Sequence, residues 1–237
     1  HMSEVSPQEI GNLHQRIALH IIRIAGTSPR RLILGFMAAT AFISLWISNT
    51  ATAMMMVPIA IAIGDSLVRN GRNAPLGITT GETAFTGCLL LSVAWAASIG
   101  GMGTPIGSPP NGICLAQMSI LLPDAPAIDF FSWMMFGIPL VLLLIPAAWL
   151  FLTRLVYPDI PSVIPGARQI IDTRMEELGQ MSRAETLTLC VFVLTAAAWI
   201  FSDSKEIGGV TIPGLDRIFP EISDSVIAMG GAFLLFI

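Results

Sequence analysis

The sequence predicts an all-α polytopic membrane protein in which two segments interrupt the membrane helices. Hydrophobic residues make up 54% of the 237 residues and charged residues 12%, against roughly 25% charged residues in soluble domains. Four runs without a charged residue are each about as long as a bilayer crossing of ~17 to 25 residues, or longer. They cover 32–64, 83–123, 130–153 and 186–202.

Composition excludes several classes of function. A formal charge of -4 with scattered Lys and Arg residues argues against a nucleic-acid partner. No Gly-x-Ser-x-Gly motif is present and all three histidines lie near the amino-terminal end, so we expect no hydrolase and no enzyme. His1-Met2 is typical of a cloning remnant, and the apolar segment 226–237 is too short to span a bilayer. We therefore expect the sequence to be part of a longer protein.

Residues 1–31 predict an interfacial amphipathic helix followed by a linker. Within 8–25, isoleucine and leucine recur at helical spacing, while arginine and histidine fall largely on another face. Such a helix lies in the plane of the membrane and contacts lipid headgroups. A soluble amphipathic helix packed on another domain is the alternative.

Basic residues flank the charge-free run 32–64 on both sides. Arg30 and Arg31 precede it, and Arg69 and Arg72 follow it. Because Lys and Arg concentrate on the cytoplasmic side, the run is expected to enter and leave the membrane by the same face. We interpret 32–68 as a re-entrant helical hairpin.

The hairpin is predicted to have limbs at about 32–47 and 51–68, joined at the tip Ser48-Asn49-Thr50. Pro58 lies in the second limb, where proline can kink a helix and free a carbonyl. Charge supports this topology, since ten of the twelve Lys and Arg residues then fall in segments assigned to the cytoplasm. A full crossing at 32–64 would place the four arginines of 154–185 outside.

A second interruption predicts that 83–122 is a discontinuous transmembrane helix. Four glycines and three prolines lie between Ser98 and Asn111, too many for a continuous helix. We expect half-helices at about 84–98 and 109–122. Pro109 suits the first turn of the second half-helix, and Ser108 is a favourable N-cap.

The rest of the chain continues the same pattern. Residues 130–153 predict a transmembrane helix, 154–185 a cytoplasmic connecting arm, and 186–237 the transmembrane helices of a scaffold. The loop at 123–129 contains two aspartates and no basic residue, so it is expected to face away from the cytoplasm. The protein is thus predicted to be a multi-pass protein of the cell (inner) membrane.

Interrupted helices are typical of transporters, since non-helical backbone at membrane depth must be buried in protein or line a cavity. Half-helix N-termini there bind anionic groups, and unwound carbonyls coordinate cations. Asn49, Thr50 and Ser108 could hold a carboxylate. The oxygens of Ser44, Ser48 and Asn49, with freed carbonyls, suit a monovalent cation.

Neither of the charge-free runs that contain the interruptions, 32–64 and 83–123, has an Asp, Glu or His, the residues that commonly relay protons inside membranes. Coupling to Na+ is therefore favoured over coupling to H+. The alternative for the triplet is a packing role, in which its side chains join helices through interhelical hydrogen bonds.

Both motifs resemble those of the divalent anion/sodium symporter family, which carries C4-dicarboxylates, citrate and sulfate. Ser48-Asn49-Thr50 resembles the triplet at the tip of that family's re-entrant hairpins. The run from Ser98 to Asn111 resembles the unwound helix beside it. The similarity extends over essentially the whole chain.

The resemblance implies roles for individual residues. A first sodium site would be built from Ser44, Ser48, Asn49 and Gly107. A substrate carboxylate would be held by Asn49 and Thr50, with Ser108 and Pro109 close by.

The resemblance also implies an inverted-repeat elevator transporter that works as a homodimer, with linking arms at 8–25 and 165–182. The expected function is sodium-coupled symport of a C4-dicarboxylate, with Na+, the small di- or tricarboxylate anion and membrane lipid as partners. Citrate or sulfate symport, or a non-transport membrane scaffold, are the alternatives. The chain has one Ser-Asn-Thr triplet where the family has two, so it is expected to hold half of a binding site.

Overall fold

A computed structural model describes residues 12–26, 28–72, 80–125, 128–160, 167–207, 210–219 and 223–235. Over these residues the chain forms nine α-helices and one short pair of strands. The helices are α1 Asn12–Ala25, α2 Pro29–Ser44, α3 Asn49–Arg72, α4 Thr80–Gly100, α5 Pro109–Leu121, α6 Phe130–Phe151, α7 Ala167–Glu177, α8 Arg183–Ile200 and α9 Asp224–Leu234. One π-helical turn, Leu152–Val156, continues α6, and a 3-10 turn covers Leu215–Arg217.

Helix α2 lies at the centre of the fold, packed most extensively against α4 and also against α1, α3 and α6. It begins with Pro29, whose fixed φ suits a first helical turn. Ile33, Phe36 and Met37 are fully buried. Gly100 of α4 meets the backbone of α2 so closely that a Cβ atom there would overlap Ala41. A small residue at position 100 is therefore what allows α2 and α4 to approach.

The hairpin of α2 and α3 turns over residues 45–48. Asn49 and Thr50 are the first residues of α3, whereas the sequence places them in the tip. The reason lies in Ser48, whose Oγ accepts a hydrogen bond from the amide of Ala51 at 3.4 Å. A serine that caps the third residue of a helix sets the helix start directly after itself.

The helix of the second interruption ends at Gly100 and resumes at Pro109, with turns and bends over 101–108. The glycines and prolines predict an interruption between about 98 and 109, so the first half-helix extends two residues further than expected and the second begins where expected. Ser108 occupies the N-cap position of α5 and Pro109 the first turn, but the Ser108 side chain makes no capping hydrogen bond. No residue of α5 is buried against the rest of the described chain.

Among the residues that the structure describes, two helical segments are long and apolar enough to cross a membrane, by length and composition: Phe130–Val156 and Arg183–Ile200. Their outward faces are apolar as well, as shown by Leu142 and Leu143, which are 68% and 67% exposed. Shorter apolar helices cover Asn49–Gly64, Ala84–Gly100 and Asp224–Leu234. Exposed apolar faces of this extent are typical of surfaces that contact lipid or further helices.

Strands Lys205–Ile207 (β1) and Val210–Ile212 (β2) pair antiparallel, with Lys205 opposite Ile212. They are the exception to an otherwise helical fold in the described residues, and they are not predicted from the sequence. Strands of three residues are too short for the two-residue alternation of a strand to be recognised.

A polar junction joins α1 to the connection between α7 and α8. The Arg16 guanidinium donates hydrogen bonds to the carbonyl oxygens of Leu178, Gly179 and Gln180 at 2.6 to 3.0 Å. It also contacts the carboxylate of Glu185 at 3.2 Å. Glu185 in turn forms a capping box with Ser182 at the start of α8. The two segments that the resemblance interprets as linking arms therefore contact each other here.

Candidate cation and carboxylate site

Oxygen atoms from three segments converge on the side-chain amide of Asn49, at the start of α3. Asn49 Oδ1 lies 3.0 Å from Ser44 Oγ, 3.1 Å from the carbonyl oxygen of Ala97 and 3.3 Å from that of Gly107. Ser44 Oγ is also 2.7 Å from the Ala97 oxygen. These four atoms, here called the oxygen cluster, connect the end of α2, the last turns of α4 and the unwound segment.

The oxygen cluster contains more acceptors than hydrogen atoms to share among them. The hydroxyl of Ser44 supplies one hydrogen atom, while the Ala97 and Gly107 carbonyls only accept. Two arrangements satisfy the cluster. Either the Asn49 amide turns so that its nitrogen donates to Ser44, Ala97 and Gly107, or a cation is shared by the oxygens, as in carbonyl-lined ion sites.

Close approach of the backbone makes the oxygen cluster possible. A Cβ atom on Gly101 would overlap the amide of Asn49. A Cβ atom on Gly107 would lie 2.8 Å from both the Ser44 and Gly101 carbonyl oxygens. Both positions therefore require glycine for steric reasons.

Three side chains hold the unwound segment in place. The buried Thr104 hydroxyl donates to the Leu45 carbonyl and accepts from the Gly107 amide at 3.0 Å. Asn111 Nδ2 donates to the carbonyl oxygens of Gly101 and Thr104 at 2.7 and 2.8 Å. Trp133 Nε1 on α6 donates to the Met102 carbonyl at 3.0 Å. Backbone groups freed by the helix break are thus paired within the protein, as burial requires.

The turn between α2 and α3 is fixed by aromatic packing. Trp46 stacks on Phe130 of α6, with ring centroids 6.4 Å apart, and meets the edge of Phe192 of α8 at 5.0 Å. Trp46 Nε1 is buried without a hydrogen-bond partner in the described part of the chain. The indole ring therefore holds the turn by apolar contact rather than by a hydrogen bond.

An open groove of about 590 Å³ runs beside the start of α3. Asn49 and Thr50 line its polar end, and Ser98 of α4 lies across from them. The remaining lining is apolar, from Ala53, Met54, Val57, Pro58, Ala94 and Ala97. Free amides and the positive end of the helix dipole at the start of α3 favour an anionic group at this end.

The structure brings together part of the residue set expected from the sequence. Ser44, Asn49 and Gly107 meet in the oxygen cluster, and Thr50 lines the groove with Asn49. Ser48 caps α3 through its hydroxyl. Ser108 and Pro109 follow Gly107 directly at the start of α5, outside the residues that line this groove.

Four contributors were not assigned a role from the sequence. Ala97 contributes only a carbonyl, so its side chain carries no signal. Gly101 and Asn111 stand within the unwound motif, and their spacing could have identified them. Thr104 is also in the motif, but its partner Leu45 is 59 positions away.

No ionisable side chain is part of the oxygen cluster or of the described groove lining. Among the residues that the structure describes, no group of three or more His, Cys, Asp or Glu side chains could hold a metal ion. The electrostatics of the site thus come from carbonyl, amide and helix dipoles. Such neutral oxygen ligands suit a monovalent cation.

Comparison with known proteins shows similarity to membrane transporters. Residues 10–234 match a family model described as citrate transporter. The chain is 36% identical to sodium-dependent high-affinity dicarboxylate transporter 3 of Caenorhabditis elegans over 235 aligned residues, which cover 95% of this chain and 40% of that relative.

Bacterial relatives are similar to the same extent. The chain is 36% identical to the sodium-dependent dicarboxylate transporter SdcS of Staphylococcus saprophyticus and 34% identical to SdcS of Staphylococcus aureus. Each alignment runs over 228 residues and covers 95% of this chain. The chain spans 41% of the length of each of these two relatives.

Proposed function

Because the chain belongs to the citrate transporter family, we propose that the full-length protein carries out sodium-coupled symport of a C4-dicarboxylate of the succinate, malate or fumarate type. The oxygen cluster is the observation that carries this proposal. It brings together the neutral oxygens of Ser44, Asn49, Ala97 and Gly107. Asn49 Oδ1 lies 3.0 to 3.3 Å from the other three. In this proposal a shared Na+, rather than a turned Asn49 amide, satisfies these acceptors.

Sodium coupling fits the chemistry of the cluster and the names of the relatives. We assign the sodium ligands in this half of the protein to Ser44, Asn49 and Gly107 of the cluster and to Ser48, the helix cap next to Asn49; the Ala97 carbonyl lies beside them. Since the cluster has no carboxylate or imidazole, it offers no group that would bind and release a proton. The C. elegans and Staphylococcus relatives are named sodium-dependent dicarboxylate transporters.

The substrate carboxylate binds at the start of α3, where Asn49 and Thr50 face the open groove. Ser108 and Pro109 complete this side of the substrate site from the start of α5. The Ser108 hydroxyl is not used as a helix cap, so it remains available to a ligand. Bound Na+ and the two half-helix dipoles serve as counter-charges for the anion.

The whole transporter works by an elevator mechanism as a homodimer in the cytoplasmic membrane. The re-entrant hairpin 32–68 and the discontinuous helix 83–122 belong to its transport domain. Residues 186–237 belong to the scaffold, and the segments 1–31 and 154–185 link the two. Contact between α1 and the α7–α8 connection through Arg16 supports this grouping of the linking segments.

Uptake measurements test the proposal. Full-length protein in proteoliposomes is expected to accumulate labelled succinate when an inward Na+ gradient is imposed, and to lose accumulation when choline replaces Na+. Uptake that is indifferent to the Na+ gradient would overturn sodium coupling. Empty liposomes under the same gradient provide the background.

Citrate is the second candidate substrate, because the matching family model is described as citrate transporter. Competition resolves the choice: excess unlabelled succinate, citrate or sulfate is added to the uptake assay. Strong inhibition by citrate with little inhibition by succinate would reassign the substrate.

A membrane scaffold without transport activity is the remaining alternative. In that case both helix interruptions are packing features and are indifferent to Na+. Hydrogen exchange of the 101–108 backbone separates the two, since a cation bound to the oxygen cluster should slow exchange there in Na+ relative to choline. Identical exchange in both salts would favour the scaffold.

A further inference from the structure

Thr104 stands between the two backbone segments that supply the oxygen cluster. Its side chain is fully buried in the unwound segment. The hydroxyl donates a hydrogen bond to the carbonyl of Leu45, in the turn between α2 and α3. The same oxygen accepts a hydrogen bond from the amide of Gly107 at 3.0 Å. One atom thus connects the hairpin turn to the unwound segment.

Both partners of the Thr104 hydroxyl are backbone groups that helix geometry leaves without an intrahelical partner. Leu45 caps the C-terminus of α2, where the last carbonyl groups of a helix have no amide to bind. Gly107 lies between the two half-helices. If the hydroxyl is removed, a carbonyl and an amide are left unpaired, and one or both segments must shift to find new partners.

A shift at Gly107 changes the oxygen cluster directly. The amide of Gly107 is bound to Thr104, while the carbonyl of Gly107 lies 3.3 Å from the Asn49 amide. Glycine has no side chain that could fix its orientation. The bond to Thr104 fixes the peptide plane that precedes Gly107, and thereby the position of the Cα atom from which the Gly107 carbonyl extends.

We propose that Thr104 is a positioning residue of the sodium site, which aims the Gly107 carbonyl at Asn49 by tying the Gly107 amide to the hairpin turn. The proposal rests on the proposed function, since it takes the oxygen cluster to bind Na+. Thr104 itself contributes no ligand. Groups that orient metal ligands typically change metal affinity by roughly 10- to 100-fold when they are removed.

The test compares three variants of the full-length protein. Thr104→Val keeps the shape of the side chain and removes the hydroxyl. Thr104→Ser keeps the hydroxyl and removes a methyl group. Thr40→Val is the matched control, since Thr40 is equally buried but its hydroxyl donates within α2, to the Phe36 carbonyl at 2.7 Å.

Two quantities are measured for each variant: the Na+ concentration that gives half-maximal succinate uptake, and the rise in melting temperature that Na+ produces in detergent without substrate. Thr104→Val is expected to raise the half-maximal Na+ concentration by roughly 10- to 100-fold and to need correspondingly more Na+ for thermal stabilisation. Its KM for succinate at saturating Na+ should stay near the wild-type value. Thr104→Ser and Thr40→Val are expected to behave like wild type.

Each other outcome decides against the proposal. It is overturned if Thr104→Val has wild-type Na+ dependence, or if Thr104→Ser is as impaired as Thr104→Val. Should Thr104→Val fail to fold, Thr104→Ala replaces it. If both fail to fold, Thr104 is a residue required for folding and the proposal is also overturned. Wild-type protein without any Na+ dependence would instead refute the proposed function, so the two failures are distinguishable.

Discussion

At the oxygen cluster, Gly101 packs directly against the side-chain amide of Asn49, and no space for another atom is left between them. A Cβ atom on Gly101 would overlap the Asn49 amide. The amide cannot move away from it, because it already contacts Ser44 and Gly107. The identity of residue 101 thus controls where the Asn49 amide can lie. A substitution at Gly101 therefore tests the geometry of the oxygen cluster without replacing any proposed ligand.

Gly101→Ala should abolish sodium-dependent uptake, or raise the half-maximal Na+ concentration by at least ~10-fold, as expected when metal ligands are displaced. Gly112→Ala is the control, because a Cβ atom there meets no atom within 4 Å. In a helix this second change should be neutral or stabilising by up to ~1 kcal/mol. Wild-type uptake by Gly101→Ala would contradict the arrangement of the oxygen cluster.

Asn49 and Thr50 are expected to differ in what they bind. Asn49→Ala should weaken both Na+ and succinate binding, because the amide belongs to the oxygen cluster and also lines the groove. Thr50→Val should weaken succinate binding and leave the thermal stabilisation by Na+ in place. Equal loss of Na+ stabilisation in both variants would argue against separate roles. Melting curves with and without Na+ and succinate provide the measurement.

At the residue scale, side chains that carry their own polar atoms were predictable from the sequence. Ser44 and Asn49 stand out as polar residues within a charge-free run, and Ser44 lies four residues before Ser48 of the triplet, the spacing of one helical turn. Ala97 could not be predicted, because its contribution is a backbone carbonyl. Thr104 could not be assigned either, since its partner Leu45 is set by tertiary packing rather than by local spacing.

At the scale of the elements, the junction at Arg16 contains an ion pair that is largely buried and is supported by further hydrogen bonds, so it should contribute to stability. The side chain of Glu185 is 3% exposed and that of Arg16 is 14% exposed. The guanidinium also donates hydrogen bonds to three carbonyl oxygens directly after the end of α7. Removal of Arg16 would therefore leave a buried carboxylate and several backbone acceptors without their partner.

Arg16→Ala is expected to destabilise the junction by about 3 to 5 kcal/mol, the usual cost of a buried charge that loses its partner. Arg174→Ala is the control, because Arg174 pairs with Glu177 at 2.9 Å in a surface contact more than half exposed on both sides. Such a surface pair contributes about 0 to 1 kcal/mol. Melting temperatures of the two variants in detergent should differ clearly. Equal melting temperatures would mean that Arg16 does not hold the junction.

The boundaries of helices could be predicted from the sequence where individual residues strongly oppose helix formation. Glycine and proline content predicts an interruption between about 98 and 109, and the observed interval 101–108 lies within it, because both residues oppose helix formation wherever they occur. The predicted start of α3 at residue 51 is two residues later than the observed start at Asn49, because the Ser48 hydroxyl caps the helix and sets its start directly after residue 48. The strands β1 and β2 were missed, since three residues per strand give no recognisable pattern.

At the scale of the whole molecule, the membrane topology, that is, the side of the membrane that each loop faces, is predicted from the distribution of charge rather than from the fold. Single cysteines at Ser28 and Gly71 should react with an impermeant thiol reagent from the same side of the membrane, because the re-entrant hairpin proposed between them would enter and leave by one face. A cysteine at Asp124 should react from the opposite side. The background protein has Cys88, Cys114 and Cys190 replaced by serine. Labelling of positions 28 and 71 from opposite sides would refute the re-entrant hairpin.

The overall class of the protein was predictable because it depends on composition rather than on contacts. Long charge-free runs and 12% charged residues indicate membrane helices without any knowledge of packing. How these helices pack was not predictable in the same way. The central position of α2 depends on close contacts such as that of Gly100 with Ala41, which join residues far apart in the sequence.

The Arg16 junction also sets an order of events during synthesis. Arg16 and Glu185 are 169 positions apart, whereas the Ser44–Ala97 contact of the oxygen cluster spans 53 positions. At ~5 to 20 residues per second, a ribosome needs roughly 8 to 34 seconds to progress from Arg16 to Glu185. Contacts of α1 with α2 and those of the oxygen cluster are able to form during this interval, but the Arg16 side chain lacks its partners until residues 178–185 have been made. In a chain stalled before residue 178, the segment around Arg16 should be more open to protease than in the finished protein, and the hairpin should already be protected.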